Sequence, residues 1–137
     1  MKKINIINAA NILGSLAINK VKKEDVKTPL LLNYIKLRKA AQSYQDEQQA
    51  IIDKFREDYK DEIEVVAPLR EKGLPLDGHE AFLKAEMDLN RLLDKTVTEE
   101  CKVEGLTLIP VADFAEAVAD SDLSLERIAL LEGVVIE

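Results

Sequence analysis

The chain has 137 residues, of which 47% are apolar and 33% charged, and its net charge is −7. Those proportions suit a single folded domain, or a helical module with a small appendage, and exclude a disordered chain. One cysteine excludes an intrachain disulfide, and with Trp absent and aromatics at 4% the core is expected to consist of Leu, Ile, Val and Ala.

Residues 4–20 are predicted as a first helix. Asn5, Asn8, Asn11, Ser15 and Asn19 recur at spacings of three and four, a polar stripe on an otherwise apolar segment. Met1-Lys2-Lys3 and the apolar stretch behind it mimic a secretory leader, with Ser15-Leu16-Ala17 as its cleavage site. A leader has no use for a polar stripe, so a retained amphipathic helix packed on the core is expected. Gly14 weakens this helix or marks a close approach to another backbone. The charged residues 21–27 read as a connection.

Thr28-Pro29 reads as the start of a second helix, Thr28 capping free amides and Pro29 occupying the first helical position. This helix is predicted to run to residue 63, a rod of about 50 Å at 1.5 Å per residue. Leu31, Ile35, Ala41, Tyr44, Gln48, Ile51 or Ile52, Phe55, Tyr59 and Ile63 recur with the period of one helical face. So long a seam exceeds what the rest of the chain is expected to cover. Leu31, Ile35, Tyr44, Ile51, Phe55 and Tyr59 are therefore the candidate partner-binding residues. Lys36, Arg38, Asp53 and Glu57 read as surface charge.

Residues 64–79 hold Pro68, Gly73, Pro75 and Gly78. Val65-Val66 suits a short strand and Asp77-Gly78 a turn, so this stretch reads as a loop or short arm, either a recognition element or a plain connector. A third helix is predicted over 80–95 with Phe82, Ala85, Met87, Leu89, Leu92 and Leu93 on its apolar face. Residues 96–109 alternate loosely and predict one or two short strands bending at Gly105. Pro110 starts a short helix over 111–118, Ser124 caps another, Gly133 stops it, and Val134-Val135-Ile136 ends in a packed strand or extended tail. The expected fold is mainly α with a minor β part (α+β): a long antiparallel helical hairpin with an N-terminal helix over 1–95, and a small β/helix appendage over 96–137 packed on it.

Charge is uneven. Residues 1–40 carry nine Lys/Arg against two acids, net +7, and the remainder carries 10 against 24, net −14. Such polarity either pairs two parts of the chain, serves a charged partner, or marks two solvated faces. The acidic majority and the lack of aromatics among the N-terminal lysines disfavour nucleic-acid binding, and no apolar run reaches the roughly 20 residues that span a bilayer. Phosphate-binding, dinucleotide, HExxH, paired CxxC and Ca²⁺-loop motifs are absent from the sequence. Cys101 and His79 lack orienting groups in the sequence, and His79, Glu80 and Glu86 are spaced poorly for a chelate, so catalytic residues, metal and cofactors are all expected to be none.

The order of elements resembles that of a family of small uncharacterised phage and prophage proteins. The residues that carry it are Ile4-Asn5-Ile6-Ile7-Asn8-Ala9, Tyr34-Ile35-Lys36, Glu47 through Phe55, Phe82 through Leu93, Leu106 through Ile109, Leu123-Ser124, and Leu130-Leu131-Glu132-Gly133. The likeness lies in pattern and order, with departures at 65–77 and 111–121. It implies a phage-encoded accessory or late-gene product without a known enzymatic activity. Together with the long amphipathic helix and the missing chemistry, it leads to the expectation of a non-enzymatic interaction protein working in virion assembly or as an assembly helper. Such a product would act through a protein partner or as a homo-oligomer in the cytoplasm of the infected host, or in the virion. The acidic balance after residue 40 suggests an alternative, an anti-defence inhibitor whose surface blocks a host nucleic-acid-binding enzyme.

Overall fold

Six helices and no strand make up a computed structural model that describes residues 1–137. α1 (Lys3–Ser15) turns Ile6, Ile7, Ala9, Ala10, Ile12 and Leu13 inward, and the expected polar stripe lies at its half-buried and exposed positions. It ends five residues earlier than expected, at Ser15, whose Oγ donates 2.7 Å to the Ile12 carbonyl, and a single 3₁₀ turn (Ile18–Lys20) follows. The neighbour that crowds Gly14 is a side chain rather than a backbone: a Cβ there would stand 3.3 Å from the Tyr34 hydroxyl.

α2 (Glu24–Asp58) has 35 residues and starts four residues before the expected cap. Glu24 and Asp25 in its first turn favour the positive end of the helix dipole, and Pro29 is thereby inside the helix, where its missing N–H leaves one carbonyl without the usual donor. The rod is not uniform. Tyr59 takes φ −116° and ψ 23°, and α3 (Lys60–Glu71) continues beyond it. Hydrogen bonds from Tyr59 N to Phe55 O (3.0 Å) and from Ile63 N to Tyr59 O (2.9 Å) keep helical register on either side. The loop or arm expected over 64–79 is thus helical as far as Glu71, with Val66, expected in a strand, buried and Pro68 inside the helix. The loop proper is 72–79, where Gly73 and Gly78 supply φ +67° and +84°.

α4 (Glu80–Thr98) runs three residues past its expected end. The β-branched Thr96-Val97-Thr98 stays helical because Thr96 is buried and its Oγ1 donates 2.9 Å to the Leu92 carbonyl. The strands expected over 96–109 are replaced by isolated bridges, Lys2 with Glu100 and Ile109 with Ile136. α5 (Val111–Ala117) and α6 (Leu125–Leu131) match the expected short helices, with the Ser124 hydroxyl accepting from Arg127 N and Gly133 at φ +78° beyond the end. The tail pairs instead with residues 109–111: Ile109 N donates to Val135 O at 2.8 Å, and Val111 N to Glu137 O at 2.9 Å.

Contacts divide the chain into one unit of Met1–Tyr44 with Thr98–Glu137 and a second of Gln45–Val97. The boundary therefore differs from the expected 1–95 and 96–137: the C-terminal segment shares a core with α1 and the first half of α2. That core joins Ile6, Leu13, Leu30, Leu37, Phe114, Leu131 and Val135, each fully buried, and α6 packs on α1. In the second unit, Val66 and Phe82 alone among apolar side chains are fully covered. α2 runs out of the first unit after Tyr44, and the chain re-enters that unit at Thr98, the last residue of α4.

Candidate interaction surfaces

The first half of α2 carries two apolar stripes. Val26, Leu30, Leu37 and Ala41 enter the core of the first unit together with Asn33, which is 1% exposed. Asn33 is the seam's polar member: its Nδ2 donates 2.7 Å to the Thr107 carbonyl and its Oδ1 accepts 2.9 Å from Thr107 N. One side chain thereby fixes residues 105–109 along the helix, assisted by Lys36 Nζ, which donates 2.7 Å to Gly105 O.

Leu31, Leu32 and Ile35 form the other stripe and are 45%, 48% and 54% exposed. At 100° per residue they lie on the side of the helix away from Leu30 and Leu37. Lys27, Lys36, Arg38 and Lys39 lie along this part of the helix, with Glu24 and Asp25 before them and Asp46 and Glu47 after them, so charge of both signs flanks the outer stripe.

The six candidate partner-binding residues therefore do not share one surface. Leu31 and Ile35 are outward. Tyr44 is half-buried against the core of the first unit, with Lys3 Nζ 5.2 Å from its ring centre. Ile51, Phe55 and Tyr59 belong to the second unit and are half-covered. Phe55 and Tyr59 meet Phe82 of α4, each at a centroid distance of 5.8 Å, a spacing at which aromatic rings attract. Leu32, Asn33 and Phe82 were not among the candidates. The sequence signal for Asn33 was its place between Leu30 and Leu37 at core spacing.

Beside this aromatic cluster the second unit has an open cavity of about 650 Å³, lined by Ile52, Phe55, Ile63, Phe82, Leu89 and Leu93. Arg70 of α3 and Glu86 of α4 close one side through a two-pronged ion pair at 2.8 and 2.6 Å, and the Arg70 guanidinium also lies 5.9 Å from the Phe82 ring centre. The hydrogen bonds from Arg70 hold the Glu86 carboxyl below the usual glutamate range, and Glu86 in turn raises Arg70.

Charge is used inside the first unit. Lys3 meets Glu99 at 3.1 Å and Lys23 meets Glu116 at 2.9 Å, joining the basic N-terminal part to the acidic C-terminal part. The Lys23 ammonium is raised by its hydrogen bond to Glu116. Counted by unit, the first holds 11 Lys/Arg and 12 Asp/Glu, net −1, and the second 8 and 14, net −6.

Cys101 belongs to the first unit and His79 to the second, where its Nδ1 lies 3.7 Å from Glu62. No three His, Cys, Asp or Glu side chains converge on a point that could hold a metal ion. No helix is long and apolar enough to cross a membrane. Comparison with protein-family models, curated proteins and solved structures finds no match to this chain.

Proposed function

We propose that this chain is a non-enzymatic helical interaction protein of the phage accessory kind, serving virion assembly or assisting it in the cytoplasm of an infected bacterium. The observation that carries the reading is the outer stripe of α2. Three large aliphatic side chains stand about half exposed on a helix whose core face is already complete. Isolated exposed leucines need no explanation, but a contiguous set on one rigid helix is the pattern of a docking surface. The order of elements, similar to that of small phage and prophage proteins, supports the biological setting.

The alternative, an acidic surface that blocks a host nucleic-acid-binding enzyme, draws on less charge than the chain total suggests. Of the −14 beyond residue 40, −8 lies in residues 98–137, in the same unit as the basic segment, and −6 is left for the second unit.

The test is affinity purification of tagged chain from phage-infected cells, wild type against Leu31→Asp/Ile35→Asp, with protein yield and circular dichroism matched. A virion or assembly protein, or untagged copies of the chain, is expected to co-purify in fixed ratio with wild type and to fall at least about tenfold with the variant, the loss expected when two central apolar contacts are removed. Equal recovery with both proteins overturns the reading.

A further inference from the structure

We propose that a cavity in the first unit binds a small zwitterion with an aliphatic body, of the kind that a free amino acid or a short apolar peptide presents. The inference goes beyond the docking reading and is independent of it. The cavity lies on the core side of α2, where Leu30 forms part of its floor, and the outer stripe takes no part.

The cavity measures about 500 Å³ and lies between residues 15–21, the end of α1 and the turn behind it, and residues 117–123, the connection of α5 to α6. Every wall belongs to the first unit. Its volume is that of a small-molecule site. The floor is the core itself: Ile18, Leu30 and Val118 are at most 8% exposed, and Leu16, Val21 and Leu123 are half-buried against the same core. An aliphatic group seated there leaves water for a surface that is already apolar.

The rim is charged with both signs. Lys20 and Arg127 line the cavity together with Asp120 and Asp122. None of these four side chains makes a hydrogen bond or an ion pair. Elsewhere in this unit opposite charges do meet, Lys3 with Glu99 and Lys23 with Glu116. Around the cavity two cations and two carboxylates stand apart with their hydrogen-bonding capacity unused. The hydroxyls of Ser15 and Ser121 are already spent as donors, each at 2.7 Å, on the Ile12 and Val118 carbonyls. The charged groups are therefore the polar anchors of the site.

That set selects by charge. A simple anion is opposed by Asp120 and Asp122, and a simple cation by Lys20 and Arg127. A molecule carrying both signs is opposed by neither. Its carboxylate accepts from the Arg127 fork with Lys20 in support, its ammonium donates to Asp120 or Asp122, and its aliphatic part covers the floor.

Amide NMR titration of the full chain with L-leucine and with leucyl-leucine tests this. At least one is expected to shift the amides of residues 15–21 and 117–127 saturably, and the tighter of the two distinguishes a free amino acid from a peptide. Acetylating the amine of that compound, or converting its carboxyl to the amide, is expected to weaken binding at least about tenfold, the change produced by losing a charge-assisted hydrogen bond. Arg127→Gln is expected to weaken the zwitterion by a similar factor and not to weaken its amide. Asp120→Asn/Asp122→Asn is expected to weaken the zwitterion likewise and not to weaken its acetylated form. Circular dichroism confirms that the variants fold, and the comparison of capped with uncapped compounds on wild type stands without them. No saturable shift with either compound, equal binding of a capped form, shifts confined to other residues, or folded variants that bind as wild type does overturn the site. Each of those results leaves the docking reading standing, because that reading is tested by capture of an assembly protein on the other side of α2.

Discussion

At the scale of single residues, Asn33 is the position where a polar group does what an aliphatic one cannot. Its side chain presents to Thr107 the donor and acceptor that a neighbouring strand would offer, at 2.7 and 2.9 Å. Residues 105–109 can run beside α2 without belonging to a sheet, which explains how a β-compatible stretch ends with bridges and no ladder. Asn33→Leu keeps the bulk and suits the seam, yet it leaves the Thr107 N–H and carbonyl without their partners. The expected loss is about 1–3 kcal/mol, the range for groups deprived of a hydrogen-bond partner, measured by urea denaturation against wild type. A merely apolar requirement at 33 predicts the opposite sign, since leucine would add buried aliphatic surface.

At the scale of elements, periodicity shows that α2 is a helix but not which way it faces. Leu31 and Ile35 share one side, and Leu30, Leu37 and Ala41 share another. Both sets satisfy spacings of three and four. Only the packing of Ile6, Leu13 and Phe114 decides which set is core, and that is not written locally. Features set by short-range chemistry were legible: the Ser124 cap, the turn at Asp77-Gly78, and the helices after Gly78 and Pro110. Glu24 and Asp25 were a readable start signal that Thr28-Pro29 overshadowed. α3 was hidden because Val65-Val66 and Pro68 argue against a helix, while the burial of Val66 at 1% overrides them. Pro68 interrupts the hydrogen bonding of α3, so Pro68→Ala is expected to stabilise the second unit by about 1–3 kcal/mol, seen as slower amide exchange in 60–71. Glu86 ties α3 to α4 with a carboxyl whose folded pKa lies below its unfolded one. The stability it contributes is therefore full above the ordinary glutamate value and is lost as pH falls through the lower, folded value. Exchange in α3 and α4 is expected to quicken over that acid range, and Glu86→Gln to flatten the response. An unchanged pH profile in the variant would assign the acid sensitivity to other carboxylates.

At the scale of the whole molecule, the two units differ in how much apolar surface they remove from water. The first encloses a continuous core fed by α1, α2, α5, α6 and the tail. The second fully covers Val66 and Phe82 and otherwise relies on half-buried faces around an open cavity of about 650 Å³. Since burial is the main favourable term and each ordered residue loses conformational entropy, the second unit sits nearer the margin. It can open while the first stays folded, because it is one continuous segment, 45–97, inserted between the two parts of the first unit. Hydrogen exchange read by mass spectrometry is expected to show residues 50–90 opening at a lower free energy than α1 and residues 26–41. Phe82→Ala removes the ring shared by Phe55 and Tyr59. It is expected to accelerate exchange throughout 50–90, with a loss of about 3–4 kcal/mol or as much as that unit possesses, and to leave α1 unaffected. Leu37→Ala, in the first core, is expected to destabilise both units, since the second lacks a folded base without it. Uniform exchange across the chain, or equal effects of the two substitutions on α1, would mean that one cooperative body unfolds at once. The division also gives a physical reason for keeping a docking stripe on the first half of α2: that half is the rigid one, so its exposed leucines are held in place before any partner arrives.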